Sequence, residues 1–442
     1  MGDKLDSLFK AYDVRGVYPE ELNDQLAYDI GIAFGSFVKE DRVIVGHDAR
    51  LSSDKIFHAF SSGLIHSGKK IKYIGLVPTD VVYSMSGLRN LPGAMITASH
   101  NPKEWNGFKF CNAGSRPIGI ETGLQDIKLL MDTSSGYSEL SNFILEDIFD
   151  EYVSHIYSIV DPSTINKKIK IGIDAANGVA GAFVPKLLDT YGINYSGIFL
   201  EPDGNFPNHP ADPSNVENLQ DLIELVVDNN LDLGVAFDGD ADRTVFVDQQ
   251  GTVLSGSTLT GIIGEWYLEA YPKSKIVHNL NVSPEVLDHL TSKGAVLIRS
   301  RVGHSYIKKL MHEEEAIFGG EHSSHFYFKD NYYADSGNLT LLTLLLIMTQ
   351  KNKTLYELSK DYQKKFSSGE INITVGDSIK SINNLKEKFV NKYDELDGIS
   401  VKEEGIWFNV RSSNTESKIR INIEADTKEK LNETLELLKE VL

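Results

Sequence analysis

Cysteine is almost absent: Cys111 is the one cysteine in 442 residues. A single thiol cannot close an intramolecular disulfide, so a disulfide-stapled scaffold is excluded and a reducing compartment is the expected setting. Long hydrophobic runs are missing as well. The most apolar window, LTLLTLLLIM from Leu339, is about half as long as a bilayer crossing requires and predicts a buried helix. No basic-plus-apolar stretch resembling a signal peptide precedes the first motif, so the expectation is a cytoplasmic protein with no membrane attachment. Positive charge is in short supply: 44 Lys and Arg stand against 63 Asp and Glu, a formal net charge of −19. Such a field repels nucleic acid and anionic membranes, and neither is expected as a partner. It also repels phosphorylated metabolites. An anionic ligand therefore needs local Arg and Lys clusters acting within about 8 Å, the Debye length at physiological salt.

What is present is an ordinary globular balance, 41% hydrophobic and 24% charged. The length predicts about three domains, with four possible. An apolar strand, a Gly- or Asx-containing turn, an amphipathic helix, a glycine and a second apolar strand recur in that order from Val43, Lys168 and Lys275. In the first copy Val43 to Val45 reads as strand and Asp54 to His66 as helix. This alternation predicts parallel or mixed sheets with right-handed crossovers: three tandem, related α/β domains over 1–150, 151–250 and 251–365. Region 366–442 differs. It reads as strand INITVGD, charged helix SINNLKEKFVNKYDEL, strands GIWFNVR and SKIRINIEA, and helix KEKLNETLELLKEVL, a small C-terminal α+β domain.

Four stretches carry chemistry. In VAFDGDADRTVFV a strand over Leu233–Phe237 runs into Asp238, Asp240 and Asp242. Like charges this close resist joint ionisation unless a cation offsets them, and a hard divalent ion with oxygen ligands, Mg²⁺, fits. A solvated acidic turn is the plain alternative. An EF-hand is excluded, because its sixth and twelfth positions here hold Arg243 and Gln249.

In ITASHNPKEWNGFKF, Ser99 stands beside His100. Adjacent residues rarely face each other as triad members do, and the G-x-S-x-G elbow is absent, so a hydrolase reading fails. A serine that accepts phosphoryl groups needs a cation on the phosphate oxygens, and Lys109 is a candidate. Otherwise Ser99 is a turn serine.

FGGEHSSHFYF offers Glu321 and Ser323 to sugar hydroxyls and His325 for proton transfer; RVGHSYIKKLM adds His304 where a loop enters a helix. Zinc is the competing reading, without the H-E-x-x-H spacing. VRSSNTESKIR gathers Arg411, Ser412, Ser413, Asn414, Thr415 and Arg420, either a phosphate clamp or a polar hairpin.

In this order the stretches resemble the α-D-phosphohexomutase superfamily, in its phosphomannomutase/phosphoglucomutase branch. The likeness runs nearly end to end and includes AYDVRGVYPEEL and PDGNFPNHPADPSNVENL. It implies three α/β domains and a C-terminal domain around one central active-site cleft. It further implies that Ser99 is phosphorylated and that Asp238, Asp240 and Asp242 hold Mg²⁺ together with a phosphate oxygen on Ser99. Arg15 and Lys109 would lie near the transferring phosphoryl group, and Arg243 would hold the reacting substrate. Glu321 and Ser323 would contact the sugar, with His304 and His325 near its reacting hydroxyl. Arg411, Ser413, Asn414, Thr415 and Arg420 would clamp the non-reacting phosphate.

The implied enzyme is an isomerase, an intramolecular phosphotransferase that interconverts hexose 1-phosphate and 6-phosphate, on mannose and also glucose. A hexose 1,6-bisphosphate serves as intermediate and activator, and the protein is a monomer or small homo-oligomer. The loop reads GEHSSH where many relatives acting on mannose and glucose have GEMSGH and phosphoglucosamine mutases have GEQSGH; His322 and Ser324 leave the sugar open, with the absent glutamine counting against the alternative, a phosphoglucosamine mutase. A metal-dependent sugar phosphatase would share the carboxylates but has no use for a second phosphate clamp.

Overall fold

The computed structural model describes residues 2–131, 136–138, 140, 142–362, 364–390, 392–412 and 418–442. Among them lie four sheets. Val43, Ile44 and Val45, β-branched and buried, place the strand Arg42–His47 inside the first sheet, parallel to Lys70–Leu76 on one side and Gly93–Ile96 on the other. The helices Asp24–Phe37 and Ser53–His66 pack on this sheet in close contact. A Cβ on Gly31 would meet the Phe60 carbonyl at 2.1 Å, and one on Gly63 the Tyr28 carbonyl at 2.0 Å.

The three α/β sheets share one plan. In the second, Lys170–Asp174 runs parallel to Asn194–Ile198 and Leu233–Phe237; in the third, Lys275–Asn279 runs parallel to Val296–Ser300 and Phe318–Gly320. Each is completed by an antiparallel strand on the last of these: Trp105–Asn112 on Gly93–Ile96, Thr244–Asp248 on Leu233–Phe237, and Phe326–Phe328 on Phe318–Gly320. The sheets are thus mixed. The turn into that antiparallel strand carries Ser99 in the first sheet, Asp238 to Asp242 in the second, and Glu321 to His325 in the third. Sequence periodicity locates the strands; only the pairing reveals that the three loops are equivalent.

The Leu339 window is a helix, Gly337–Lys351, buried along most of its length and capped by Ser336, whose Oγ accepts from the Leu339 amide at 3.0 Å. It joins the largest core cluster, which runs without a break from Ile44 and Val82 through Ile173 and Phe237 to Phe318 and Leu345. Asp80, Tyr152, Ser336 and Asn338 form a buried polar knot within this region, and burial pushes the Asp80 carboxyl up to about 7. No helix among the described residues is long and apolar enough to cross a membrane.

The C-terminal region has its own antiparallel sheet, ordered Phe366–Thr374, Lys418–Ala425, Ile406–Ser412, Ile399–Glu403, Tyr393–Asp394, and its own apolar cluster. Here the structure corrects the expected charged helix through Leu396. That helix spans Ser378–Lys388 and stops because Phe389 turns its ring onto Phe408, while Tyr393 and Asp394 pair with Val401 and Ser400. Tertiary pairing overrides the helical spacing of the charges.

Candidate active site

Ser99 is held by backbone geometry more than by its neighbours in sequence. It sits at φ +53°, in the left-handed region, and its amide donates to Thr97 Oγ1 at 2.8 Å. Below the turn, Arg50 uses its planar fork fully. Nε donates to Asp48 at 3.1 Å, Nη1 to the carbonyls of Pro102 and Trp105 at 2.7 and 2.9 Å, and Nη2 to those of Ser99 and Asn101, both at 2.7 Å. Asp48 is fixed in turn by Ser53 and Thr97.

The aspartate turn meets Ser99 face on. Ser99 Oγ donates to Asp238 Oδ2 at 2.7 Å, and a Cβ on Gly239 would lie 2.5 Å from the Ser99 carbonyl oxygen, so glycine permits the approach. Lys109 Nζ donates to Asp240 Oδ2 at 2.7 Å and also to Asp242, and Thr79 Oγ1 donates to Asp240 Oδ2 at 2.5 Å. All of these side chains are buried. Burial and the charges of Asp240 and Asp242 push the Asp238 carboxyl well up. Asp242 is held well down against its burial by the Lys109 ammonium and His325. Against its own burial, Lys109 is raised by Asp240 and Asp242.

The three aspartates form an acidic cluster able to hold a metal ion, with one oxygen from each inside a 4.8 Å span. The fit has internal support: among the described residues Oδ1 of both Asp240 and Asp242 is buried without a hydrogen bond, with only His325 Nε2 at 3.5 Å from the latter, and the cation that bridges Asp240 and Asp242 is a lysine.

Arg15 approaches from the other side. Its Nε pairs with Asp13 at 2.7 Å, while Nη1 donates to the Ala98 carbonyl at 3.2 Å and to Asn101 Oδ1. His100 Nδ1 lies 3.4 Å from Ser99 Oγ, outside the range of a strong hydrogen bond, and burial together with Arg243 and Arg15 drives its pKa well below the usual value. An imidazole whose protonated form is so disfavoured is a weak base for Ser99.

Arg243 joins the second loop to the third. Its amide donates to Asp238 Oδ1 at 3.2 Å, and its Nε to His325 Nε2 at 3.3 Å. His325 Nε2 also lies 3.5 Å from Asp242 Oδ1, and its Nδ1 lies 3.1 Å from Ser323 Oγ. Glu321 is held from beneath by Asn279 Nδ2 at 2.9 Å and Tyr327 OH at 2.5 Å. His304 begins the helix His304–Glu314, packs edge-on against Tyr12, and has a buried Nε2 with no hydrogen bond among the described residues. Burial and Lys308 keep it neutral, its pKa well below the usual histidine value.

In the C-terminal sheet Arg411 and Arg420 stand opposite each other in register. Both pair with Glu370, through Arg411 Nη2 at 3.1 Å and Arg420 Nη1 at 3.0 Å. Ser413, Asn414 and Thr415 lie outside the described residues. The structure thus brings Ser99, Lys109, Arg15, Arg243, His325 and the three aspartates into one network, with His304 close enough to feel the charges of Lys109 and Asp242. Sequence reading passes over Arg50, Thr79 and Glu370. HDAR, with its acid and base two apart at a strand end, was the available signal for Arg50; Thr79 and Glu370 have none.

Comparison with known proteins covers the whole chain. Models of phosphoglucomutase/phosphomannomutase α/β/α domains I, II and III match residues 6–136, 150–251 and 255–366, and the model of the C-terminal domain matches 370–441. The chain is 38% identical to a phosphomannomutase of Methanocaldococcus jannaschii, covering 98% of this chain and 97% of that one. It is 37% identical to a protein of Xanthomonas campestris named phosphohexose mutases, over 94% of both. A crystal structure of a phosphoglucomutase/phosphomannomutase family protein from Burkholderia thailandensis superposes with a TM-score of 0.88 at 30% identity, over 99% of this chain and 97% of that one. An ordered set of four matching domains, together with full-length identity at this level, places the chain in the phosphoglucomutase/phosphomannomutase family.

Proposed function

We propose that the chain is a phosphohexomutase, an isomerase that moves phosphate between C1 and C6 of mannose and also glucose. One observation carries the reading: a buried serine hydroxyl hydrogen-bonded to a three-aspartate cluster, as a phosphoryl carrier beside a metal would need. Phosphate on Ser99 would be transferred to the free hydroxyl of a hexose monophosphate. The Ser99 Oγ–P bond would break and the sugar O–P bond form, and the proton lost by the sugar hydroxyl would be balanced by one taken up at Ser99 Oγ. The resulting 1,6-bisphosphate turns around and returns its other phosphoryl group to Ser99. Four domains, meeting near residues 150, 250 and 365, would enclose the sugar.

Asp238, Asp240 and Asp242, with a phosphate oxygen on Ser99, would hold Mg²⁺, which when bound neutralises charge on the phosphoryl oxygens. The chain's own residues supply the rest. A phosphoryl transition state is loose, so positioning and charge dominate. Lys109 and Arg15 are buried cations beside the carrier. Arg243, which spans Asp238 and His325, would orient the reacting end. His304 Nε2, neutral and unpartnered, can accept a hydrogen bond from the incoming hydroxyl. Ser323 and Glu321 would face the sugar; Glu321 stays fixed by Tyr327 and Asn279. A grip on O3 and O4, midway between C1 and C6, suits either orientation and barely senses C2, where mannose and glucose differ. Arg411 and Arg420 would hold the second phosphate, with Ser413, Asn414 and Thr415 in the same turn. A cytoplasmic monomer or small homo-oligomer is the setting we propose.

The test is turnover of mannose 1-phosphate, glucose 1-phosphate and glucosamine 1-phosphate side by side, with catalytic bisphosphate. Turnover of the first two is expected; turnover of glucosamine phosphate alone rejects the sugar assignment in favour of a phosphoglucosamine mutase. Inorganic phosphate released at the rate of substrate loss would instead make it a phosphatase.

A further inference from the structure

Arg411 and Arg420 occupy directly opposed positions on adjacent antiparallel strands, where like charges repel. Glu370, from the first strand of the C-terminal sheet, lies against both: Oε2 accepts from Arg411 and Oε1 from Arg420. The carboxylate bridges the pair, and the bridge is incomplete. Nε of each arginine is buried without a hydrogen bond among the described residues. So are both amide atoms of Asn422, the cross-strand partner of Glu370. Three of these atoms are donors, the two Nε groups and Asn422 Nδ2, and a phosphate monoester with three terminal oxygens offers more acceptors than one carboxylate. The two sides also differ in freedom. The Arg411 side chain is 3% exposed and that of Arg420 24%, whereas that of Glu370 is 31% exposed and has solvent to swing into.

We propose that Glu370 is an internal counter-anion of the arginine pair, displaced when a sugar-borne phosphate binds, so that it sets how tightly the pair holds its ligand. This rests on the reading of Arg411 and Arg420 as phosphate donors. Its use follows from the reaction. A bisphosphate that turns around must leave the arginines and return to them, and a buried guanidinium stripped of its partner is costly. Glu370 takes over the two N–H groups during that interval, which makes release easier at the expense of affinity.

The experiment measures inorganic phosphate binding to the full-length, metal-free protein by titration calorimetry, for the parent, E370Q, E370D, R411A and the double variant E370Q/R411A. If the pair is free of Glu370 for a fraction of about 0.1 to 0.3 of the time, E370Q binds phosphate about three- to ten-fold more tightly. The gain disappears in the double variant, and E370D, with a shorter reach, falls between parent and E370Q. Unchanged or weaker binding by E370Q, with binding lost in R411A, overturns the counter-anion role and leaves the clamp standing. Parent-like binding by R411A overturns the clamp itself. Should E370Q not fold, E370D decides: affinity at or below that of the parent rejects the proposal.

Discussion

Ser99 Oγ donates to Asp238 Oδ2 at 2.7 Å across 139 residues of sequence, joining the turn of the first sheet to that of the second. Were Ser99 to carry the phosphate proposed for it, Asp238 would face charge of its own sign, and the contact would persist only through a cation between them. The hydroxyl is therefore placed on the carboxylate that has most to gain from a metal.

Replacing Ser99 by alanine removes the acceptor. Turnover should fall by about three orders of magnitude or more, as for other covalent carriers. Stability should change by about 1 to 2 kcal/mol, since one hydrogen bond to a buried carboxylate is lost. Coupled turnover and chemical denaturation check the two parts; activity near the parent level would exclude Ser99 as the carrier.

Lys109→Met should separate the structural cation from the catalytic metal. Without the ammonium, three buried carboxylates face one another, and the metal-free variant should lose about 3 to 5 kcal/mol. Divalent ions should restore it, since a ligand that binds only the folded state stabilises by mass action. The thermal midpoint of the variant should thus rise more steeply with Mg²⁺ than that of the parent, while turnover stays about 100-fold lower for want of a charge on the phosphoryl group. An equal response to Mg²⁺ in both proteins would mean that Lys109 and the metal do not share these carboxylates.

Much of this was legible in the sequence because its cause is local. The strand Leu233–Phe237 is apolar and ends in alternate aspartates, so both the element and the metal cluster could be read from one stretch. The Leu339 helix follows from its composition. Arg50 escapes such reading because its function lies in four carbonyls 49 to 55 residues away. Glu370 looks like any strand glutamate until the sheet sets it against Arg411 and Arg420. The helix expected through Leu396 fails for the same reason: its charges are helical in spacing, but Phe389 and Tyr393 gain more from the sheet.

Arg50→Lys tests whether the carrier loop is held by the guanidinium fork. Lysine keeps the charge beside Asp48 but cannot reach four carbonyls in two directions. A loss of about 3 kcal/mol in urea unfolding is expected. It should be accompanied by a fall in kcat of about 100-fold with little change in KM, because a carrier displaced by about an ångström reacts slowly while the substrate clamp is untouched. A change confined to KM would show that Arg50 acts on binding and not on the position of Ser99.

Glu424 gives a pH dependence with a defined sign. It lies on Lys418–Ala425 and its Oε2 accepts from Ser283 Oγ at 2.7 Å, a polar contact between the C-terminal sheet and the loop before Pro284–Ser292. Burial pushes its pKa up to about 7 from 4.5; Ser283 and Lys365 oppose the shift and Glu285 adds to it. Between those values the folded chain holds a proton that the unfolded chain has released. The stabilisation is complete below about pH 4.5 and is lost as pH rises through about 7, at up to about 1.4 kcal/mol per pH unit. Trp407, paired in register with Glu424, reports on this region by fluorescence once Trp105 and Trp266 are replaced by phenylalanine in both proteins compared. The urea midpoint of the Trp407 signal should fall between pH 5 and 7.5 in the parent, and E424Q, which cannot ionise, should show a flatter slope. Subtracting one curve from the other removes every other titrating group the two proteins share. A difference curve that rises with pH would mean that Glu424 is ionised in the folded protein and that Lys365, not burial, governs it.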